Sequence, residues 1–151
     1  MKTMVVGDLM SAEVFTLSED QDFVSANQIM KLEHLRHLPV VNGERLVGLV
    51  THRDLLGAQA TLMLARSEAA AEARDDVSVT VGDIMSEVLL TCRPNEPVDD
   101  AARLMIDARV GCMLVVEDGR LVGILTKTDV MSWAVEMMAK QRFETEPPPR
   151  P

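Results

Sequence analysis

Val6-Gly7-Asp8-Leu9-Met10-Ser11 recurs as Val81-Gly82-Asp83-Ile84-Met85-Ser86, an offset of 75 residues from Gly7 to Gly82. Without a gap, the same offset carries Arg45-Leu46-Val47-Gly48 onto Arg120-Leu121-Val122-Gly123. It also carries Thr51-His52-Arg53-Asp54 onto Thr126-Lys127-Thr128-Asp129. About a third of the positions from 6 to 56 are identical to their counterparts. The chain therefore contains two copies of one structural unit.

Each copy has the hydrophobic pattern of a β-α-β-β-α unit. In the first copy, strands are predicted at residues 14–17, 38–41 and 45–51, with a tight turn at Asn42-Gly43. A helix should follow Ser18-Glu19-Asp20 and turn these residues inward: Val24, Ile29, Leu32 and Leu35. A second helix should begin at Thr51, and residues 55–76, rich in Ala, Leu, Glu and Arg, should extend it.

The second copy repeats this order. Pro94 and Pro97 lie at the start of its first helix, and Asp118-Gly119 provides the hairpin turn. The helix should bury Ala101, Leu104, Met105 and Ala108. The prediction is an α/β (α+β) fold of two repeats, residues 1–76 and 77–143, packed as a pseudo-twofold pair. Residues 144–151 are proline-rich and are predicted to be a flexible tail.

Composition narrows the class of protein. The chain has 151 residues, 47% of them hydrophobic, which is enough for a real core. No apolar run reaches the roughly 18 residues that a membrane helix needs. Asp8 interrupts the N-terminal stretch before a signal-peptide core can form. We expect a cytoplasmic protein that does not enter a membrane.

Charge and residue content argue against nucleic-acid and metal binding. The formal net charge is −9, whereas binding to a phosphate backbone depends on clustered Lys and Arg. Only four residues are aromatic, too few for a base-stacking platform: Phe15, Phe23, Trp133 and Phe143. Cys92 and Cys112 are predicted to be free buried thiols. No Cys or His lies at metal-ligand spacing from the three histidines: His34, His37 and His52.

The order of elements and two sequence motifs resemble the CBS domain family. The motifs are the opening Val-Gly-Asp-[Leu/Ile]-Met-Ser, and Leu-Val-Gly followed by two apolar residues and Thr-x-x-Asp. The family is named after cystathionine β-synthase, and its domains also occur in inosine monophosphate dehydrogenase and the gamma subunit of the AMP-activated kinase. The resemblance covers nearly the whole chain, apart from the inter-repeat helix and the tail. It implies a stand-alone, bacterial-type Bateman module that binds an adenosine derivative between its repeats.

The resemblance and the duplicated motif together predict the ligand-binding residues. In the family, residues around the middle strand contact adenine. The predicted set is Thr16, His37, Leu38, Pro39, Val40, Thr51, His52, Arg53, Asp54, Thr91, Cys112, Met113, Leu114, Val115, Thr126, Lys127, Thr128 and Asp129. The expected ligand is AMP, ADP or ATP, with S-adenosylmethionine or NAD as further candidates, and no cofactor is required.

The motif Thr-x-x-Asp suits a nucleotide for physical reasons. A helix N-terminus favours an anion, and the hydroxyl of Thr51 or Thr126 can donate to a phosphate oxygen. Asp54 or Asp129, one helical turn further on, can accept both hydroxyls of a ribose. The same spacing is also that of a capping box, in which the two side chains only satisfy helix N–H groups. The sequence leaves both interpretations open.

The first half-site is the more cationic. It is expected to hold Arg36, His37, His52 and Arg53, whereas the second offers Arg109, Lys127 and Thr128. If one site prefers more phosphates, the first is the better candidate.

A ligand-free interaction module is the alternative function. The last helix carries apolar residues over more than one stripe, including Met131, Trp133, Val135 and Met138. We expect a homodimer built from such a face, which is compatible with ligand binding, and an effector protein that the sequence does not identify. Catalysis is not expected, because Asp75-Asp76 and Asp99-Asp100 look like linker and helix-end acids, and no nucleophile recurs beside a base.

Overall fold

Both repeats show the same order of helices and strands in the computed structural model, which describes residues 2–72 and 78–145. The first repeat holds α1 (Val6–Leu9), α2 (Phe23–Leu32), β1 (His37–Asn42), β2 (Arg45–Thr51) and α3 (His52–Ala71). The second holds α4 (Val81–Ile84), β3 (Thr91–Cys92), α5 (Val98–Ala108), β4 (Cys112–Glu117), β5 (Arg120–Thr126) and α6 (Lys127–Thr145).

A five-stranded sheet in the order β1-β2-β5-β4-β3 joins the repeats. The hairpins β1–β2 and β4–β5 are antiparallel, and they meet where Arg45 pairs with its counterpart Arg120. Both hairpins have a register irregularity at the equivalent place, Val40/Val41 in one and Val115/Val116 in the other. The predicted α+β class and pseudo-twofold pair are therefore confirmed.

The predicted first strand forms in only one repeat. In the second, β3 runs parallel to β4. In the first, residues 14–17 are reduced to one parallel bridge between Leu17 and Val40. Phe15 and Thr16 are exposed, and Leu17 forms the backbone hydrogen bonds that attach this segment to β1.

The hairpin turns use residues with a positive φ. Asp118 and Gly119 have φ values of 51° and 78°, which is the geometry that favours Asp-Gly in a two-residue hairpin loop. The first turn comprises Gly43 and Glu44, one residue later than predicted, and Asn42 is the last residue of β1.

The buried face of α2 differs from the prediction. Val24 is 48% exposed and Leu32 is 76% exposed, so placing them inward was wrong. The helix instead buries Phe23, Ala26 and Met30, which lie three and four residues apart and therefore share one face. Ile29 and Leu35 pack at the margin of the same core, as predicted.

In α5 the prediction was half correct. Ala101 and Met105 are buried, and they are the counterparts of Ala26 and Met30. Leu104 is 45% exposed and Ala108 is also exposed, because the helix packs through the narrower stripe that begins at Val98.

The opening helices α1 and α4 are exchanged between the repeats. Val6 of α1 is buried in the core of the second repeat, beside Met105 and Leu125. Val81 of α4 is buried in the core of the first repeat, beside Met30. Backbone hydrogen bonds fix both positions: from Gly7 N to Pro94 O at 2.7 Å, and from Gly82 N to Glu19 O at 2.9 Å. Each repeat thus completes its core with a segment of the other.

The ends of the two long helices, α3 and α6, can be compared with the predicted boundaries of the repeats and the tail. α3 continues to Ala71, which confirms a helical extension of the first repeat up to that residue, while residues 73–77 lie outside the described part of the chain. α6 continues through Thr145, two residues into the predicted tail, and residues 146–151 also lie outside the description. The repeat limits 1–76 and 77–143 stay a prediction.

Cys92 and Cys112 are free and buried, as predicted. Burial raises the pKa of the Cys92 thiol to about 11 and that of Cys112 to about 12. Over the ranges 2–72 and 78–145, none of the helices combines the length and apolar character needed to cross a bilayer. The same ranges contain no group of three or more His, Cys, Asp or Glu side chains arranged to hold a metal ion.

Candidate functional site

The two Thr-x-x-Asp segments lie at equivalent helix N-termini. β2 ends at Thr51 and α3 begins at the next residue, while β5 ends at Thr126 and α6 begins at the next residue. Both segments thus follow a Gly-containing strand directly, as the sequence predicts. Asp54 and Asp129 are half-buried in the first turns of these helices.

Both Thr-Asp pairs form capping boxes. Asp54 Oδ2 accepts a hydrogen bond from Thr51 N at 2.8 Å, and Asp54 N donates to Thr51 Oγ1 at 3.2 Å. In the second repeat the corresponding distances are 2.8 Å and 3.3 Å. The Thr126 hydroxyl also donates to Asp129 Oδ2 at 3.0 Å, so this hydroxyl is already used. Within the described residues, the cap uses only Oδ2 of each aspartate, which leaves Oδ1 available to a ligand hydroxyl.

A cavity of ≈ 620 Å³ opens beside Asp54. It is lined by Arg53, Asp54, Gly57, Ala58 and Thr61 of the first repeat, and by Val79, Asp83 and Ile84 around α4. A hydrogen bond from the Thr80 backbone N–H, 3.0 Å long, lowers the pKa of the Asp83 carboxyl, which therefore stays ionised. Of the predicted site residues, this cavity is lined by Arg53 and Asp54, which are adjacent in sequence.

A second cavity, of ≈ 400 Å³, opens between the end of α2 and the start of α3. Its lining includes four basic side chains: Lys31, His34, Arg36 and His52. Of the basic residues expected at the first half-site, Arg36 and His52 line this cavity, whereas Arg53 lines the first, so these residues are divided between two cavities. Sequence analysis missed Lys31 and His34, since only the tertiary fold brings the end of α2 against the start of α3.

His37 lies at the junction of the repeats, in neither cavity. A β-carbon on Gly111 would lie 2.7 Å from its Nε2 atom, so the imidazole packs on the backbone of the second repeat. Burial lowers the pKa of His37, and the charges of Arg36 and Lys127 lower it further. His37 is therefore an interface residue whose surroundings favour the neutral imidazole.

The predicted middle-strand residues are mostly core residues. Leu38 and Val40 are fully buried in the core of the first repeat, and Met113 and Val115 in that of the second. The side chains of Cys112 and Leu114 lie in a third cluster between the repeats, and Pro39 is buried as well. These residues have only backbone groups to offer a ligand.

The remaining predicted residues are at the surface. Thr16 and Thr91 are exposed at equivalent positions beside the middle strands, and Lys127 and Thr128 are exposed in the first turn of α6. None of these four lines either of the two cavities described above.

Gly48 and Gly123, the glycines of the two Leu-Val-Gly motifs, leave room for methionine side chains of the opposite repeat. A β-carbon on Gly48 would overlap the sulfur of Met85, and one on Gly123 would overlap the sulfur of Met10. Met10 and Met85 pack against the cores. These glycines therefore serve the contact between repeats.

A family model described as "CBS domain" matches residues 6–61 and residues 81–136. The chain belongs to the CBS domain family. The CBS domain-containing protein YhcV of Bacillus subtilis is 29% identical over 136 residues, which cover 90% of this chain and 87% of YhcV. Homoserine O-acetyltransferase of Methanohalophilus mahii is 33% identical over 129 residues, 84% of this chain. The matched part is 24% of that enzyme, so this CBS chain spans a minor part of it.

Solved CBS structures share the fold over nearly the whole chain. A protein described as a putative acetoin utilization protein (AcuB) from Vibrio cholerae superposes with a TM-score of 0.78 at 28% identity, covering 97% of this chain and 100% of its own. CBSX2 in complex with AMP gives 0.72 at 28% identity, with coverages of 89% and 98%. The CBS domain pair of MJ0100, in complex with 5'-methylthioadenosine and S-adenosyl-L-methionine, gives 0.72 at 26%, with coverages of 90% and 99%.

Proposed function

We propose that this CBS pair is a regulatory module that binds an adenosine-type ligand and changes conformation on binding. The observation that carries the proposal is Asp54, whose Oδ1 atom is not used by the helix cap and which lines a cavity formed by α3 and the segment around α4. The complexes of CBSX2 with AMP, and of MJ0100 with S-adenosyl-L-methionine, support the choice of ligand class.

The lining of this cavity suits the polar parts of a nucleoside. The ribose hydroxyls would donate to Asp54, as ribose hydroxyls do to acidic residues in dinucleotide folds. The guanidinium of Arg53, in the same cavity, would pair with a phosphate or carboxylate of the ligand. The residues have roles in binding, and the proposal includes no catalytic step.

The proposed conformational change depends on the two parts of the chain that form the cavity wall. Asp54 and Ala58 belong to the first repeat, whereas Asp83 and Ile84 belong to the opening segment of the second. Because α4 packs in the core of the first repeat, a ligand that contacts both walls would hold α3 against the segment that leads into the second repeat. It shifts the conformational equilibrium only by as much as it binds this arrangement better than one in which α4 has moved away from α3. The shift would be transmitted along α3 and α6 to an effector protein.

Calorimetric titration of AMP and of S-adenosylmethionine into wild type and Asp54→Asn/Asp129→Asn tests the proposal. Asparagine keeps one acceptor oxygen for the cap but loses the charge that strengthens bonds to ribose. A hydrogen bond to a charged group contributes about 1.5–3 kcal/mol, so affinity should fall roughly 10- to 100-fold. Asp22→Asn is the matched control, because Asp22 caps α2 by accepting from Ser25 N at 2.7 Å and lines neither cavity. Equal affinity of wild type and the double variant would refute the proposal.

A second candidate function, a dimerisation module, has its own structural support. Leu56 and Met63 are 55% and 67% exposed on α3, and their counterparts Met131 and Met138 are 67% and 63% exposed on α6. The two repeats therefore present equivalent apolar rows, which suit a second copy carrying the same rows. Trp133, predicted to share this face, is half-buried and does not belong to the exposed row.

A further inference from the structure

The cavity beside Asp54 has a counterpart position in the second repeat, but the residues there differ. The offset of 75 residues that relates the repeats maps its α3 lining residues Asp54, Gly57 and Ala58 onto Asp129, Ser132 and Trp133. The aspartate is retained in both repeats. Beside it, the smallest side chains of the first repeat are replaced in the second by a hydroxymethyl group and an indole.

The indole of Trp133 is turned into the protein. Its Nε1 atom is enclosed and has no hydrogen-bond partner within the residues that the structure describes. The residue as a whole is half-buried, whereas its neighbours Met131 and Val135 are 67% and 61% exposed. α6 contacts α1 as α3 contacts α4, and position 133 is the counterpart of position 58, which lines the cavity beside Asp54.

The first repeat leaves this space open because its side chains are small. A β-carbon added to Gly57 would meet nothing within 4 Å. Ala58 presents a single methyl group to a cavity of ≈ 620 Å³. An indole at the equivalent position is among the largest side chains that a protein buries, and it would occupy the region where a ligand on Asp129 would lie.

We infer that the two adenosine half-sites are inequivalent: the one beside Asp54 is open, and the one beside Asp129 is closed by Trp133. The chain accordingly binds one adenosine ligand, on the first repeat, and Trp133 acts as a fixed side chain in place of a second ligand. The inference rests on the proposed function for the ligand class. The position of Trp133 itself can be tested without any ligand.

Two reciprocal substitutions test the inference by calorimetry with AMP and S-adenosylmethionine. Wild type should bind one equivalent of the adenosine compound per chain. Ala58→Trp should lose at least tenfold in affinity, and Trp133→Ala should bind a second equivalent. Leu64→Trp is the matched control, because Leu64 lies on the same helix, is 67% exposed and lines neither cavity. If Ala58→Trp fails to fold by circular dichroism, Ala58→Leu fills the cavity more conservatively and should still lose at least threefold.

Iodide quenching of the single tryptophan supplies the ligand-independent readout. Trp133 should be at least fivefold less quenched by iodide in native wild type than in urea-unfolded protein, whereas quenching equal to that of the unfolded chain overturns the closed second site. Two equivalents bound by wild type, or unchanged affinity in Ala58→Trp, also overturns the inference and leaves the proposed function intact. Wild type that binds neither compound while its tryptophan is shielded refutes the proposed function and, with it, the single-ligand stoichiometry.

Discussion

Gly48→Ala directly perturbs the exchange of opening segments between the repeats. The new β-carbon would overlap the sulfur of Met85 and lie 3.0 Å from its Cγ and 3.2 Å from its Cβ. All three obstacles belong to one flexible side chain of the opposite repeat. At the equivalent Gly123, the obstacles are Met10 and also the carbonyl oxygen of Ser11, at 3.0 Å. That oxygen is held by a hydrogen bond from Ile124 N, so it cannot move aside as a side chain can.

These contacts determine how much stability each glycine-to-alanine substitution is expected to cost. Overpacking costs typically about 1–3 kcal/mol. Replacing glycine by alanine returns about 0.4–1 kcal/mol by restricting the unfolded chain. We expect a net loss of about 1 kcal/mol for Gly48→Ala, where Met85 can adjust, and about 2 kcal/mol for Gly123→Ala. For a chain of this size, such losses lower Tm by roughly 2–4 °C and 4–8 °C.

A double-mutant cycle shows whether the loss comes from the opposite repeat. Urea unfolding, followed by circular dichroism and by the fluorescence of Trp133, gives the free energy of unfolding for each variant. Met85→Ala removes the overlapping atoms, so Gly48→Ala and Met85→Ala should couple by at least about 0.5 kcal/mol. Gly48→Ala and Met10→Ala should be additive within about 0.3–0.5 kcal/mol, because Met10 lies against the other glycine. Coupling to Met10 instead of Met85 would show that the segments are not exchanged.

Three further predictions concern the dimer, the histidine and the thiols. Light scattering should give about twice the chain mass of 16.6 kDa, and Met131→Glu/Met138→Glu should halve it; a monomeric wild type at tens of micromolar excludes the dimer. The pKa of His37 is lower in the folded protein than the ordinary value of 6.5, so below pH 6.5 the unfolded chain binds more protons and the free energy of unfolding should fall as the pH decreases. His37→Gln should make this fall less steep, and an unchanged pH dependence in the variant would contradict the prediction. Cys92 and Cys112, with pKa values of about 11 and about 12, should resist a thiol reagent at pH 8 until urea unfolds the chain, and rapid native labelling would contradict their burial.

The repeat made the fold predictable, but not the packing between the copies. An internal offset identifies equivalent segments, and it placed both Thr-x-x-Asp motifs correctly at helix N-termini. It does not say which copy a short helix such as α1 packs on, because both cores offer the same apolar surface to Val6. The exchange is settled by long-range contacts, such as that of Gly48 with Met85, which the local sequence does not encode.

One error in α2 could have been avoided by using the repeat more fully. Ala26 and Met30 are identical to their counterparts Ala101 and Met105, and all four are buried. The inward placement of Val24 rests on its hydrophobicity alone, and Val24 is exposed. By contrast, the basic cavity that includes Lys31 required the tertiary arrangement of α2 and α3, which periodicity does not provide.

The ligand itself is the central claim, and a thermal-shift panel tests it most directly. The panel comprises AMP, ADP, ATP, S-adenosylmethionine and NAD with wild type. A ligand at about 100 times its Kd adds roughly 2.7 kcal/mol of stability. For a chain of about 150 residues, this raises Tm by roughly 5–11 °C. We predict a shift of this size for at least one compound, and its loss in Asp54→Asn/Asp129→Asn. Unchanged Tm with every compound at millimolar concentration would contradict the account and favour the ligand-free dimerisation module.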